Sequence, residues 1–196
     1  MPSASIIRER AREALKDNFL NVLLIIILVF LAIGVSSFLS LIVAGPLMVG
    51  LQFYLLNVVR RNDPRFEDLF HGFQNGFATS VIAYLLKILY VFLFTLLLII
   101  PGIIKAYQYA VVDFVIADDP SITASEALEK STQMMRGNKL RLFFLQLSFI
   151  GWYLLSIITF GIALIYVIPY YYTAVVAFYQ DLKSESTPTI TTNDYE

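Results

Sequence analysis

The apolar positions of the chain fall into three long blocks, separated by two polar segments. The blocks run from Phe19 to Val59, from Ala78 to Ala117 and from Leu142 to Tyr179, and the outer two contain no Asp, Glu, Lys or Arg. Each block holds roughly 40 residues, about twice the length that one membrane-spanning helix requires. This pattern predicts two helices in each block and an all-α membrane bundle.

Turn-forming residues near the middle of each block place the predicted helix ends. They are Gly34-Val35-Ser36-Ser37, Pro101-Gly102 and Thr159-Phe160-Gly161. They predict six transmembrane helices arranged as three hairpins, at residues 19–35, 38–59, 80–100, 102–117, 142–158 and 162–179. Residues 1–183 then form a single integral membrane domain. The polar residues 184–196, rich in Ser and Thr, are expected to be a disordered cytoplasmic tail.

The basic residues predict the orientation of this domain. All Lys and Arg residues except Lys87 and Lys105 lie in the segments outside the three hairpins, and the three turns carry none. Because basic residues accumulate in short cytoplasmic segments, both termini and both long connections are expected on the cytoplasmic side. The sequence therefore predicts a multi-pass protein of the cell membrane.

The first of these segments has the pattern of an interfacial amphipathic helix. Its apolar residues recur at spacings of three and four, while Arg8, Arg12 and Lys16 lie elsewhere around the helix. We expect this helix to lie at the bilayer surface, with anionic lipid headgroups as its partners. The apolar positions are Ile7, Ala11, Ala14, Leu15 and Phe19.

A second amphipathic helix is predicted between Ser121 and Met135. Thr123 and Glu126 have the spacing of a capping box, and Gly137 is suited to end the helix. The segment Phe66 to Phe77 is aromatic and contains glycine, so helix is less strongly favoured there.

The second helices of the predicted hairpins resemble one another. Leu51 to Pro64 aligns without gaps on Tyr107 to Pro120, and Tyr171 to Tyr179 is identical to Tyr107 to Val115 at five positions. Ahead of the hairpins, Ala11 to Leu15 resembles Ala124 to Leu128. A triple repeat of an amphipathic helix followed by a hairpin is the hypothesis that this pattern suggests.

Several short motifs carry a resemblance to a known family. With them, the chain resembles domain-of-unknown-function family 975, small integral membrane proteins of Gram-positive bacteria, from about Arg8 to Lys183. The resemblance implies residence in a membrane and no particular activity, substrate or site residue. The most specific motifs are Ile100-Pro-Gly-Ile-Ile-Lys-Ala-Tyr107, Ala117-Asp-Asp-Pro120 and Ser131-Thr-Gln-Met-Met-Arg-Gly-Asn-Lys139.

A candidate polar site lies on the fourth predicted span. Lys105, Tyr109 and Asp113 are spaced four residues apart, which places them on one face of a helix. They would line a cavity or relay, or Lys105 and Asp113 would extend toward opposite ends of the helix. We favour the second interpretation. We also expect Lys87 to extend to the cytoplasmic headgroups rather than to pair with Asp113.

Three further polar residues are expected to make helix–helix hydrogen bonds, namely Gln52, Asn57 and Gln108. The adjacent Asp118 and Asp119, before Pro120, are expected to form a turn. Asp113 corresponds to Asn57 and Ala177 in the predicted repeat, so we do not expect the fold to require an acid there.

Composition narrows the classes of function. The chain contains 58% hydrophobic residues, a net charge of −1, one histidine (His71) and no cysteine. Thiol catalysis and Cys-ligated metal sites are excluded, a Ser-His-Asp triad is disfavoured, and nothing suggests nucleic-acid binding. We predict no catalytic residues, no metal and no cofactor.

The function expected from these features is a non-enzymatic envelope scaffold or regulatory partner. It would assemble with another membrane protein or with copies of itself. The alternative is a small transporter or channel with its polar site on the fourth span, and an intramembrane enzyme is the third hypothesis.

Overall fold

Only helices, and no strands, make up the regular secondary structure of the described chain, which confirms the predicted all-α class. The computed structural model describes residues 3–34 and 40–186, and no strand occurs among them. A short 3-10 helix, Phe66–Phe70, precedes α4. The α-helices are α1 (Ala4–Lys16), α2 (Phe19–Gly34), α3 (Ser40–Arg60), α4 (His71–Gln74), α5 (Phe77–Leu97), α6 (Ile99–Gln108), α7 (Val112–Asp118), α8 (Ala124–Met134), α9 (Lys139–Leu147), α10 (Ile150–Ile158) and α11 (Leu164–Ser186).

Four helical stretches of the described chain are long and apolar enough to cross a membrane. They are Leu41–Arg60, Phe77–Leu97, Ile99–Asp118 and Lys139–Ile158. A fifth arises if α1 and α2 are taken together, although these two helices are bent by 95°. The fold is therefore compatible with a membrane protein. The fourth stretch joins α9 to α10, and the third joins α6 to α7.

The turn of the second apolar block lies earlier than predicted. α5 ends at Leu97, and Leu98, in extended conformation, separates it from α6. Pro101 is the third residue of α6 and lies in its first turn, where a missing N–H breaks no hydrogen bond within the helix. The proline therefore begins the second helix instead of separating the two. Gly102 packs against Thr95, where a Cβ would overlap the threonine side chain.

The turn of the third block lies where it was predicted. α10 ends at Ile158, and Phe160 and Gly161 have positive φ angles of 50° and 88° before α11 begins. The helix before this turn is interrupted at Ser148 and Phe149, which the sequence pattern did not predict. The turn predicted at residues 34–37 falls largely on residues 35–39, outside the described residues.

The orientation of α2 differs from that of a simple first span. Phe19 stacks on Tyr166 at 5.6 Å between ring centroids, and Phe30 meets Tyr172 edge-on at 6.2 Å. Successive positions of α2 therefore meet successive positions of α11 in the same order. Two antiparallel helices would meet in reverse order, so these contacts differ from those expected between a first and a sixth span that cross the membrane in opposite directions.

The centre of the bundle is formed by α3, α7 and the C-terminal half of α11. In the apolar part of Leu41–Arg60, 67% of the residues are buried inside the protein. In the apolar part of Phe77–Leu97, only 11% are buried. α3 contacts both α7 and α11, whereas α5 carries many exposed leucine and phenylalanine side chains. The polar residues described below lie mainly where these central helices meet their neighbours.

The amphipathic segments pack on the bundle in a regular order. The 3-10 helix and α4 contact α3, α8 contacts α5 and α7 to the same extent, and α1 contacts α11. The predicted capping box is present at the start of α8. The Glu126 backbone N–H donates to the Thr123 hydroxyl, and the Thr123 backbone N–H donates to the Glu126 carboxylate. The 3-10 helix and α4 therefore cover the helix that ends the preceding block, α8 covers both helices of the block before it, and α1 covers the last helix of the chain.

The C-terminal boundary also differs from the prediction. α11 continues to Ser186, so residues 184–186 are helical rather than part of a disordered tail. The remainder of the predicted tail, 187–196, lies outside the described residues.

Candidate functional site

A partly buried ion pair joins α5 to α7 at the predicted polar site. The Lys87 ammonium donates to Oδ2 of Asp113 at 2.6 Å, and the two side chains are 21% and 14% exposed. Lys87 is near the middle of α5, so a partner in the protein removes the cost of an isolated ammonium among apolar residues. The expectation that Lys87 extends alone to the headgroups is therefore wrong.

The other two residues of the predicted stripe are held by aromatic rings. The Lys105 ammonium lies 4.8 Å from the ring centroid of Phe94 and 5.4 Å from that of Tyr109. Tyr109 is buried, and its ring lies 6.0 Å from that of Tyr90. The structure therefore brings Lys105 to Tyr109, while Asp113 turns to Lys87.

A break in the helix explains why Asp113 has a different partner from Lys105 and Tyr109. α6 ends at Gln108 and α7 begins at Val112, with a turn over 109–111. Lys105 and Asp113 consequently lie on different helices, and the uninterrupted spacing that placed them on one face does not hold. A groove of about 560 Å³ opens beside this break and is lined by Lys87 and Tyr109, among others.

A second polar cluster, which the sequence reasoning missed, is centred on Asp118. Arg60 donates to both carboxylate oxygens at 2.8 and 3.0 Å, the Tyr179 hydroxyl donates at 3.0 Å, and Lys183 donates at 2.6 Å. The Asp118 side chain is 8% exposed. We call these four residues the Asp118 cluster. It connects the C-terminal ends of α3 and α7 to α11.

The Asp118 cluster compensates an unfavourable position for a carboxylate. Asp118 is the last residue of α7, where unpaired backbone carbonyls give the helix a partial negative charge. Two cations and one hydroxyl group offset both this charge and the burial of the carboxylate. The expected turn is formed by its neighbour, since Asp119 accepts from the backbone and hydroxyl of Ser121.

A third group of polar side chains crosses between α6, α9 and α11. The Tyr107 hydroxyl donates to Oε1 of Gln146 at 2.5 Å, and Nε2 of Gln146 donates to the Tyr171 hydroxyl at 2.9 Å. Tyr107 and Tyr171 begin the aligned segments of the second and third predicted repeats. Gln146 therefore joins two positions that correspond in the repeat.

The three residues expected to make helix–helix hydrogen bonds behave differently from one another. Asn57 donates to Asp68 at 2.9 Å, which joins α3 to the 3-10 helix. The Oε1 atoms of Gln52 and Gln108 are buried and have no hydrogen-bond partner among the described residues. For these two oxygen atoms, the expected contacts are not formed.

The helix α1 is docked on the protein through two of its arginines. Arg10 donates to both carboxylate oxygens of Asp181 at 2.8 and 2.6 Å, and Arg8 donates to the Ser148 carbonyl at 3.2 Å. The carbonyl is exposed by the break between α9 and α10. Arg8, which was expected to bind headgroups, thus serves an internal contact, whereas the apolar residues Ile7, Ala11 and Leu15 are buried as predicted.

Taken together, these contacts pair the charged groups of the bundle across different helices. Each of Lys87–Asp113, Arg60–Asp118 and Arg10–Asp181 joins helices that are distant in sequence, and Arg141 pairs with Glu185 in the same manner. Within residues 3–34 and 40–186, no group of three acidic or histidine side chains is placed to hold a metal ion. The arrangement fixes helices relative to one another.

Comparison with known proteins gives one match. The family model described as "Protein of unknown function (DUF975)" matches residues 95–186, from the end of α5 to the end of α11. No curated protein and no solved structure matches the chain.

Proposed function

We propose that this chain, whose residues 95–186 match the model of the DUF975 family of unknown function, is a non-enzymatic membrane scaffold or regulatory partner. The observation that carries the proposal is the internal pairing of charged side chains. Asp113 and Asp118, the two carboxylates within the apolar stretch Ile99–Asp118, are both neutralised by cations from other helices. Such pairs hold a fixed arrangement of helices and leave little free charge for a substrate.

The proposed arrangement in the cell membrane has six spans in three pairs, with both termini cytoplasmic. The four apolar stretches, the tight turns after α5 and α10, and the basic residues outside the pairs support it. α11 supplies a further span. We place the first span at α2, although its contacts with α11 follow the same order along both helices and not the reverse order of an antiparallel pair.

Labelling of single cysteines tests this orientation, because the chain contains none of its own. Ile162→Cys, in the exposed turn before α11, should react with a membrane-impermeant maleimide in intact cells. Glu129→Cys, on the exposed face of α8, should react only after the cells are opened. Labelling of Glu129→Cys from outside, with Ile162→Cys silent, would reverse the orientation.

The second candidate function is a small transporter or channel, which the groove beside Lys87 and Tyr109 favours. A charged residue and a helix break beside a groove are features of substrate pathways in transporters. Flux of protons and of potassium ions into proteoliposomes separates the two functions. The scaffold proposal expects the same leak as protein-free vesicles, whereas flux that Asp113→Asn abolishes would support transport.

The contacts of the amphipathic segments support a triple repeat. In each proposed repeat, an amphipathic segment precedes a helix pair and packs on the last helix of the preceding pair. α1 packs on α11, so the three units close into a ring. A ring of this kind places corresponding helices at its centre, where a scaffold gains most from polar contacts between helices.

A further inference from the structure

An open cavity of about 550 Å³ lies between α1, the first residue of α2 and Tyr166, near the N-terminal end of α11. We propose that this cavity binds a phospholipid headgroup that carries both a phosphate and a primary amine, of the phosphoethanolamine type. The inference rests on the proposed location in a membrane and adds a ligand class to it. Small-molecule cavities commonly measure about 300–1,000 Å³, so the volume is adequate for such a group.

The charged residues of the cavity supply both signs. Glu9, Arg12, Glu13 and Lys16 line it from α1, at spacings of three and four that place them on one face. All four are exposed, and none forms an ion pair with a residue of the described chain. Their charges sum to zero, which matches a zwitterionic group better than an anionic one.

The same helix provides an internal comparison. Arg8 and Arg10 lie between these positions, yet both are occupied by Ser148 and Asp181. The unpaired cations that face the cavity are thus Arg12 and Lys16, which we assign to the phosphate. Glu9 and Glu13 are assigned to the ammonium.

The floor of the cavity is apolar and aromatic. Phe19 and Tyr166 stack there at 5.6 Å, and the buried Leu15 completes the surface. Aromatic faces attract ammonium groups. The apolar floor can also contact the first carbons of the acyl chains, next to the glycerol. Phe19 is the first residue of α2, so the cavity lies where the polar helix meets the apolar one.

Quenching of Trp152 fluorescence tests the proposal on the full chain. Trp152 is the sole tryptophan and its ring centroid lies 5.9 Å from that of Tyr166. The protein is reconstituted with phosphatidylethanolamine or phosphatidylglycerol carrying brominated acyl chains. We expect the amine lipid to quench at about two- to fivefold lower mole fraction, the ratio that an exposed cation–π contact gives.

Substitutions in the cavity test the ammonium-binding and the phosphate-binding residues separately. Glu9→Gln with Glu13→Gln should bring the two lipids to equal quenching, and Arg12→Gln with Lys16→Gln should weaken quenching by the amine lipid. Glu129→Gln, an exposed change on α8, is the matched control and should keep the preference. Equal quenching by both lipids in the unchanged protein, or a preference for phosphatidylglycerol, would overturn the proposal.

Soluble O-phosphoethanolamine identifies the source of the headgroup. Relief of quenching at millimolar concentration would show that the headgroup alone fills the cavity, and a retained preference without relief would show that the whole lipid is bound. If the proposed membrane location were wrong, neither lipid would quench Trp152, because the protein would lie outside the bilayer. Quenching without preference would contradict the headgroup proposal alone.

Discussion

The guanidinium of Arg60 donates to both carboxylate oxygens of Asp118, and so ties the end of α3 to the end of α7. Paired parallel hydrogen bonds of this kind fix direction as well as distance. Because Tyr179 and Lys183 reach the same carboxylate from α11, one acidic residue determines how three helices meet.

Asp118→Asn should destabilise the protein by about 2–4 kcal/mol. The change keeps the shape of the side chain but leaves the Arg60 guanidinium without a counter-charge, and unpaired buried charges cost this much. Lys183 is half-exposed and will contribute less. The free energy of unfolding in detergent micelles, measured by denaturant titration, checks the prediction.

The adjacent Asp119→Asn is the matched control. Its carboxylate binds only the neighbouring Ser121 among the described contacts, so a change below about 0.5 kcal/mol is expected. Equal losses for the two variants would show that the Asp118 cluster has no special role.

Gly50→Ala should also destabilise, by about 1–3 kcal/mol. A Cβ at Gly50 would overlap the carbonyl of Leu69, a backbone group that cannot turn away. Gly151→Ala is the control, because a Cβ there meets no atom within 4 Å and alanine favours the helix by roughly 1 kcal/mol. Thermal unfolding of the two variants in the same detergent should shift in opposite directions, and a tolerated Gly50→Ala would contradict the close approach.

Stability should fall as the pH drops below about 6.5, because of His71. Burial lowers the pKa of His71 below its ordinary value, and the nearby Asp68 carboxylate only partly offsets this. Its ring stacks on Phe53 at 3.8 Å, and its Nε2 is buried without a partner in the described chain. The unfolded state therefore binds the proton first, so the stability present above the unfolded pKa is lost as the pH falls toward the lower folded pKa.

Unfolding temperatures between about pH 7.5 and 5.5 check this effect, since carboxylates titrate at lower pH. His71 is the one histidine of the chain, so His71→Phe, which keeps an aromatic ring against Phe53, should remove the dependence. A dependence that persists in this variant would place its origin elsewhere.

The helical architecture was largely predictable, because doubled apolar blocks, turn residues and the Thr123 capping box act over short distances. The interruptions at 109–111 and 148–149 were not, since no proline or glycine lies at either one. Tertiary contacts stabilise them instead: Arg8 binds the carbonyl that the second break exposes, and Lys87 binds Asp113 just after the first.

The Asp118 cluster could not be found from the sequence because the partners of Asp118 lie 58 to 65 residues away from it. A pairing of this kind depends on which helices are neighbours, which periodicity does not reveal. The one available signal was the position of each residue at the cytoplasmic end of a predicted span. The same reasoning explains the wrong expectation for Lys87, whose partner lies on a different helix.

The most direct test of the account is a double-mutant cycle on Lys87 and Asp113, with unfolding free energies measured in detergent. Lys87→Met and Asp113→Asn should each cost about 2–4 kcal/mol, because each leaves one charge unpaired, and the double variant should recover a large part of the loss. Lys105→Met, whose ammonium contacts only rings among the described residues, should show no coupling to Asp113→Asn. Additive losses at Lys87 and Asp113, or an Asp113→Asn protein of unchanged stability, would contradict the claim that paired charges hold this bundle together.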